Sequence, residues 1–295
     1  MGGAVETWGL VDDRESIAAI HQAIDVGINL IDTAPIYGLG HAEEIVGKAI
    51  QGRRDRVVLA TKCGLQFPKS PQSPPARSLS RANIFRECDE SLRRMRIDQI
   101  DLYQCHWPDP QTPLRETMEA MAELLAAEKI RVIGVSNFGC DEIAVAREFA
   151  PVHALQTPLS LLQRRGLVDL LPYCRENQIA TLAYGPLCKG LLTGKFTTAE
   201  SFQDVRRRDP EFVGERYQRN LRFVGALADV ARLEGRTVGQ IALNWVLRQP
   251  GVTSAIVGAK RPSQVIENAE GAGWELGAEA VNRLQRILND AEDAT

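Results

Sequence analysis

Apolar positions along the chain switch period repeatedly. Residues 15–26 carry them three and four apart, behind Asp12 with Glu15 three residues on, the spacing of a capping box. A short apolar run follows and ends in an acid, Gly27-Ile28-Asn29-Leu30-Ile31-Asp32. The same alternation then recurs. Helices are expected over 41–50, 80–94 with Ser80 as cap, 112–128 with Pro113 at the first helical position, 141–149, 168–177, 237–248, 262–269 and 278–288. Thr237 with Gln240 repeats the capping-box spacing. Strands are expected over 56–62, 100–105, 131–135, 152–156, 179–183 and 253–257.

Short strands separated by helices of about ten residues imply βαβ units and a parallel sheet. No Gly-x-Gly-x-x-Gly follows any strand, which argues against an open dinucleotide-binding sheet. The expected fold is therefore an α/β barrel, a (β/α)8 TIM-type fold, built as a single domain over residues 1–295. Seven of its eight strands are visible, and the chain opens on the helix that would follow the first. The first strand is expected to be missing from this sequence, leaving two sheet edges unpaired. The alternative is a short strand within residues 3–10, where glycines and charges make poor strand material. Two segments read as irregular, 64–79, which holds four prolines, and 185–219, which carries Arg206-Arg207-Arg208. Both follow the carboxyl end of a strand, the face of a barrel where active sites lie.

Composition narrows the field. The 295 residues are 44% hydrophobic and 25% charged, with a net charge of −3. A nucleic-acid partner would leave a basic stripe, and no apolar run approaches the 18 residues of a membrane span, so neither nucleic acid nor membrane is expected as a partner. Residues 1–6 lack the basic and apolar regions of a secretory signal, and the six cysteines contain no C-x-x-C pair. They read as reduced thiols of a cytoplasmic protein.

Polar residues close six successive strands: Asp32, Lys62, His106, Ser136-Asn137, Gln156 and Tyr184. In a barrel these ends converge on one mouth. Asp32 and Lys62 are expected to pair there in a partly buried site, and Tyr37 lies five residues after Asp32. A neighbouring ammonium is expected to lower the Tyr37 phenol's pKa and make it a general acid. His106 is placed to hydrogen-bond a substrate oxygen. No activated nucleophile and no metal-ligand spacing stands out, so no metal is expected. An acid and an oxygen binder suit hydride addition to a carbonyl, with the hydride supplied by a cofactor.

These stretches together resemble the aldo/keto reductases. The likeness rests on Gly27–Gly38, on Ala60-Thr61-Lys62, on Gln104-Cys105-His106-Trp107-Pro108-Asp109-Pro110, and on Gly134-Val135-Ser136-Asn137-Phe138. It continues through Gln156, Tyr184-Gly185-Pro186-Leu187, Gly190–Lys195 and Gly258-Ala259-Lys260-Arg261-Pro262, in family order, over about residues 12–268. The branch it looks closest to includes potassium-channel β subunits. The resemblance implies a proton donor at Tyr37, tuned by Lys62 and Asp32, and a carbonyl-orienting His106. It implies that Ser136, Asn137 and Gln156 hold the nicotinamide carboxamide and that Tyr184 stacks on its ring. Gly185, Pro186, Leu187, Lys189 and Lys195 would lie along the pyrophosphate. Gly258, Lys260, Arg261, Gln264, Glu267 and Asn268 match the adenosine end. Lys260 and Arg261 precede Pro262, so two cations and a helix N-terminus make an anion site. A 2′-phosphate fits it, which favours NADPH over NADH. Trp8, Leu65, Phe67 and Trp107 are expected to wall an apolar pocket for an aldehyde, ketone or sugar. A cofactor-binding regulatory subunit with little turnover is the competing reading, and oligomerisation stays open. Channel-binding members resemble this motif with an asparagine where His106 stands, which favours catalysis here. A serine is common where Gly185 stands, so one phosphate contact is expected to be absent.

Overall fold

Seven strands pair in parallel and in chain order among the residues described by the computed structural model, which are 12–68, 70, 73–198 and 201–293. They are β1 (Leu30–Asp32), β2 (Val58–Cys63), β3 (Ile100–Cys105), β4 (Ile130–Ser136), β5 (Ala154–Pro158), β6 (Ala180–Tyr184) and β7 (Val252–Ile256). The helices are α1 (Asp13–Asp25), α2 (His41–Ala49), α3 (Arg81–Met95), α4 (Leu114–Ala126), α5 (Cys140–Ala146), α6 (Leu170–Glu176), α7 (Gly214–Glu234), α8 (Val238–Leu247), α9 (Pro262–Ala269) and α10 (Ala278–Asp293). The sheet curls until its ends approach. Ala19 and Ala23 of α1 pack on Val265 of α9, so the last βα unit comes round beside the first. This is the (β/α)8 TIM-type architecture. Among the described residues β1 pairs only with β2, and β7 only with β6. The expectation of a missing first strand, and its alternative within residues 3–10, lie outside the described residues.

Side chains alternate across a strand, so residues two apart share a face. Ala60, Leu102, Ala154 and Leu182 form one apolar cluster with Leu30, Val132 and Ile256, the inside of the barrel. Leu59, Cys63, Tyr103, Cys105, Ile133, Val135 and Leu155 belong to a separate core between sheet and helices. Two residues beyond five of these interior apolar residues stands a polar one: Asp32 after Leu30, Lys62 after Ala60, Gln104 after Leu102, Gln156 after Ala154 and Tyr184 after Leu182. The register keeps them level, with Lys62 opposite Gln104 and Ser136 opposite Gln156. An apolar plug thus carries a polar layer at the carboxyl end of the strands. Gly134 completes this arrangement by lacking a side chain. A Cβ there would sit 2.8 Å from Gln104 Cγ and 2.9 Å from Leu102 Cδ1.

Several expectations need correcting. The irregular reading of 185–219 and the silence after it missed α7, 21 residues long. Its buried positions Tyr217, Asn220, Phe223, Val224, Leu227, Val230 and Ala231 keep helical spacing. Arg216, Arg219 and Arg222 on its exposed side and Gly225 in its middle disguise that period. The segment before α7 is also ordered by packing: Phe196, Phe202, Phe212 and Tyr217 interlock, and Arg206 lies 5.0 Å over the Phe202 ring. β5 begins and ends two residues later than expected, so Gln156 sits at its centre. Ser80 is at the cap of α3, but its hydroxyl pairs with Ser78 Oγ instead of a helix amide. Pro113 is the N-cap of α4 and not its first residue. Asp12 caps α1 through the Arg14 amide, 2.7 Å away, without the return bond from Glu15 that a capping box needs. The box at Thr237 and Gln240 forms in both directions.

Substituting Gly134→Ala tests the plug. Overpacking by one methyl costs about 1–3 kcal/mol, and a chain of this size loses roughly 2–4 °C of melting temperature per kcal/mol. A drop of several degrees in a calorimetric melt is expected. An unchanged midpoint would mean that Gln104 and Leu102 do not pack against this glycine.

Candidate active site

The polar layer is organised around one buried ion pair. Lys62 Nζ lies 2.7 Å from Asp32 Oδ2 and donates to Thr33 O at 2.9 Å. The lysine is fully buried and Asp32 nearly so. The other Asp32 oxygen accepts Gln156 Nε2 at 2.8 Å and, at the 3.5 Å limit, Gln104 Nε2. Burial works against the Lys62 ammonium, but Asp32 and Tyr37 outweigh it and hold its pKa above the ordinary value. Lys62 is charged at neutral pH.

Tyr37 sits over this pair, with Lys62 Nζ 5.4 Å from its ring centroid. The Lys62 charge pulls the phenol down, as expected, yet burial and the Asp32 carboxylate together win and raise it. The expectation of a lowered pKa is therefore wrong in sign. Tyr37 keeps its proton at neutral pH. His106 meets Tyr37 edge to face, with ring centroids 6.0 Å apart. Burial, followed by the charge of Lys62, pushes its imidazole down to about 3. It is neutral at physiological pH and offers one N–H donor.

Asn137 ties the mouth together from a left-handed backbone position (φ 63°). Its Nδ2 donates to His106 O and to Ser136 Oγ, both at 3.0 Å, while Tyr184 Oη donates to its Oδ1 at 2.8 Å. Burial raises the Tyr184 phenol to about 12. Ser136, Asn137, Gln156 and Tyr184 are thus brought to the same mouth as Tyr37 and His106. Gln156 spends an N–H on Asp32, which the resemblance did not foresee.

Beyond Tyr184 the backbone turns at Gly185 (φ 68°), passes Pro186 and Leu187, and takes three successive left-handed residues, Cys188, Lys189 and Gly190. Lys189 is paired with Asp209, and Lys195 lies 5.0 Å over the Phe196 ring. At the other end Pro262 opens α9, whose N-cap Arg261 makes no side-chain cap. Gln264 Oε1 accepts the Lys260 amide at 2.8 Å, and Glu267 and Asn268 follow on the same helix. The charge of Lys260 reaches Asp204, one of several influences lowering that carboxyl, led by its hydrogen bond from Arg206. Gly258 has open space where a Cβ would stand. Neutral amides at the mouth, a turned backbone beyond it and two cations at a helix N-terminus form a donor set that fits a nicotinamide dinucleotide.

Leu65 and the exposed Phe67 lie in the segment that follows β2, Trp107 directly follows His106, and Trp8 lies outside the described residues. Leu65 bridges to Arg77, and Arg77 stacks on Trp107 with 5.1 Å to the ring centroid. Sequence reasoning passed over Arg77, Gln104 and Glu87. Gln104 keeps the interior spacing of Leu102, a signal that was available. Glu87 accepts the Gly64 amide at 2.6 Å and so pins the strand-end turn that leads to Leu65.

The family model of the Aldo/keto reductase family matches residues 1–289. The chain belongs to this family of oxidoreductases. It is 44% identical over 295 residues to the aldo-keto reductase YhdN of Bacillus subtilis (strain 168), covering 98% of this chain and 88% of that one. It is 35% identical over 302 residues to the NADH-specific methylglyoxal reductase of Escherichia coli (strain K12), covering 99% and 92%. Its structure resembles the glycerol dehydrogenase AKR11B4 from Gluconobacter oxydans, with a TM-score of 0.89, 38% identity, and coverage of 97% and 89%. An aldo/keto reductase from Klebsiella pneumoniae in complex with NADP and acetate gives a TM-score of 0.73 at 33% identity, covering 94% and 86%. No helix among the described residues is long and apolar enough to cross a membrane.

The depressed imidazole of His106 has a consequence for stability. An unfolded histidine takes up a proton near pH 6.5, and the folded one resists until about 3. Its contribution is complete above pH 6.5 and is lost as the pH falls toward 3. A His106→Gln variant should therefore lose less melting temperature than the parent between pH 7 and about pH 4.5. Equal losses in the two proteins would mean that His106 is not held neutral.

Proposed function

We propose that this chain reduces aldehydes or ketones to alcohols with a nicotinamide dinucleotide, and that it takes NADPH in preference to NADH. The observation that carries the reading is the juxtaposition of a protonated Tyr37 and a neutral His106 over a charged Lys62–Asp32 pair. When bound, the reduced nicotinamide supplies the hydrogen and electron pair that the carbonyl carbon accepts.

The protein's own groups act on the carbonyl oxygen. His106 donates one hydrogen bond and orients it. Tyr37 donates its proton to that oxygen as negative charge develops there. Lys62 lies beside the phenol and stabilises the tyrosinate left behind, which offsets the burial that otherwise resists its ionisation. Asp32 holds the lysine in place, and Gln156 holds Asp32. Ser136 and Asn137 would meet the carboxamide, and Tyr184 would stack on the ring. Gly185, Pro186, Leu187, Lys189 and Lys195 would lie along the pyrophosphate. Gly258, Gln264, Glu267 and Asn268 would surround the adenosine.

Lys260 and Arg261 at the start of α9 support NADPH, because two cations beside the positive end of a helix dipole favour a 2′-phosphate. The Klebsiella protein carries NADP, whereas the Escherichia coli relative is called NADH-specific. Relatives thus divide on the cofactor, and the preference here rests on these two side chains.

Tyr37→Phe removes the acidic proton and keeps the ring. General-acid help is worth about 10²- to 10⁴-fold, so turnover of a simple aldehyde should fall by that much while NADPH still binds in a fluorescence titration. Near-normal turnover by Tyr37→Phe would remove the proposed proton donor. NADPH binding by the parent without any aldehyde turnover would favour the regulatory subunit instead.

A further inference from the structure

We propose that Arg77 recognises a negatively charged group on the substrate, so that the preferred carbonyl compounds carry a carboxylate or phosphate besides the reacting carbonyl. The inference rests on the carbonyl-reducing reading above and names the substrate class of that site.

Residues 64–66 and 76–78 form the two limbs of a short antiparallel hairpin. Gln66 N donates to Ala76 O at 2.9 Å, Ser78 N donates to Gly64 O at 3.1 Å, and Leu65 opposes Arg77. Residues directly opposed in an antiparallel pair share a face. Arg77 therefore stands beside Leu65, three residues beyond the buried Lys62. Its guanidinium lies over Trp107, the residue next to His106. The cation is thus mounted on the wall of the mouth.

The guanidinium is exposed yet held in place. Its Cζ lies 5.1 Å over the Trp107 ring, and Nη1 donates to Pro108 O at 3.1 Å. Among the described residues this is its only hydrogen bond, and no carboxylate lies within 4 Å of it. Asp109, whose carboxyl its charge helps to lower, is already occupied by the Leu79 amide at 2.9 Å, the Gln111 amide at 3.0 Å and the Thr112 hydroxyl at 2.6 Å. Among the described residues neither Nε nor Nη2 makes a hydrogen bond, and the edge they form matches two anionic oxygens side by side. A cation fixed before the ligand arrives loses little side-chain freedom on binding. Leu65 and the half-exposed Phe67 offer apolar contact to the carbon skeleton between the carbonyl and the anion.

The test is a selectivity ratio, measured on the full chain with NADPH. One substrate pair is 4-carboxybenzaldehyde and methyl 4-formylbenzoate, and the other is glyceraldehyde 3-phosphate and glyceraldehyde. The parent should show a higher kcat/KM for the anionic member of at least one pair, and that pair identifies the anion. Charge-assisted contacts are worth about 1.5–3 kcal/mol, so Arg77→Gln should lower the anionic-to-neutral ratio about 10- to 100-fold. Arg77→Lys should keep part of it, and added salt should lower it in the parent more than in Arg77→Gln. A parent without anionic preference in either pair overturns the proposal. So does a ratio that Arg77→Gln leaves unchanged, since a merely structural arginine would affect both members alike. Turnover of the neutral members separates these results from failure of the reductase reading, in which no member of either pair is reduced.

Discussion

The whole site hangs on one buried ion pair, Lys62 with Asp32. Burying two charges costs several kcal/mol each unless geometry and extra hydrogen bonds offset it. Here the lysine is closed off by Asp32 and the Thr33 carbonyl, and the carboxylate is shared with Gln156 and Gln104. Removing one partner would strand the other, a loss of about 3–5 kcal/mol in such pairs. The pair sits between adjacent strands, so barrel geometry and site geometry are one constraint. Its charge then acts outward. Burial and then Lys62 keep His106 neutral, whereas at Tyr37 the Lys62 charge pulls the phenol down and burial with Asp32 outweighs it.

The barrel explains why this polar layer exists at all. Each strand points alternate residues inward, and the plug of Ala60, Leu102, Ala154 and Leu182 closes the interior below. One further step of two residues brings the next inward position to the mouth, where water and ligand can reach it. Gly134 yields its side-chain space to Gln104, so a glycine that reads as a weak point in a strand serves packing of the polar layer. The β6–α7 segment is ordered by Phe196, Phe202, Phe212 and Tyr217, whose rings pack together with Phe212 and Tyr217 buried and Phe196 and Phe202 partly so.

Much of this was legible in the residues. Period-two apolar runs ending in Asp32, Lys62, His106 and Tyr184 placed the site at the strand ends, and the structure brings these four together. Gln104 keeps the same period but lies one residue before the end of its strand, so its place in the polar layer shows only in the inward alternation. The sign of the Tyr37 shift was unreadable, because burial competes with Lys62 and a sequence does not display burial. α7 was missed because arginines crowd its exposed side. Arg77 was missed because only folding sets residues 64–66 beside 76–78 and brings the hairpin to Trp107.

The central claim is that burial, aided by Asp32 at Tyr37 and by Lys62 at His106, holds Tyr37 protonated and His106 neutral, against the downward pull of Lys62 on the phenol. The pH dependence of kcat/KM for a neutral aldehyde tests it most directly. With His106 pushed down to about 3 and Tyr37 raised above its ordinary value, the profile should be level from about pH 6 to about pH 9, well inside both values. A limb with an apparent pKa between about 6 and 8 that vanishes in His106→Gln would contradict the account.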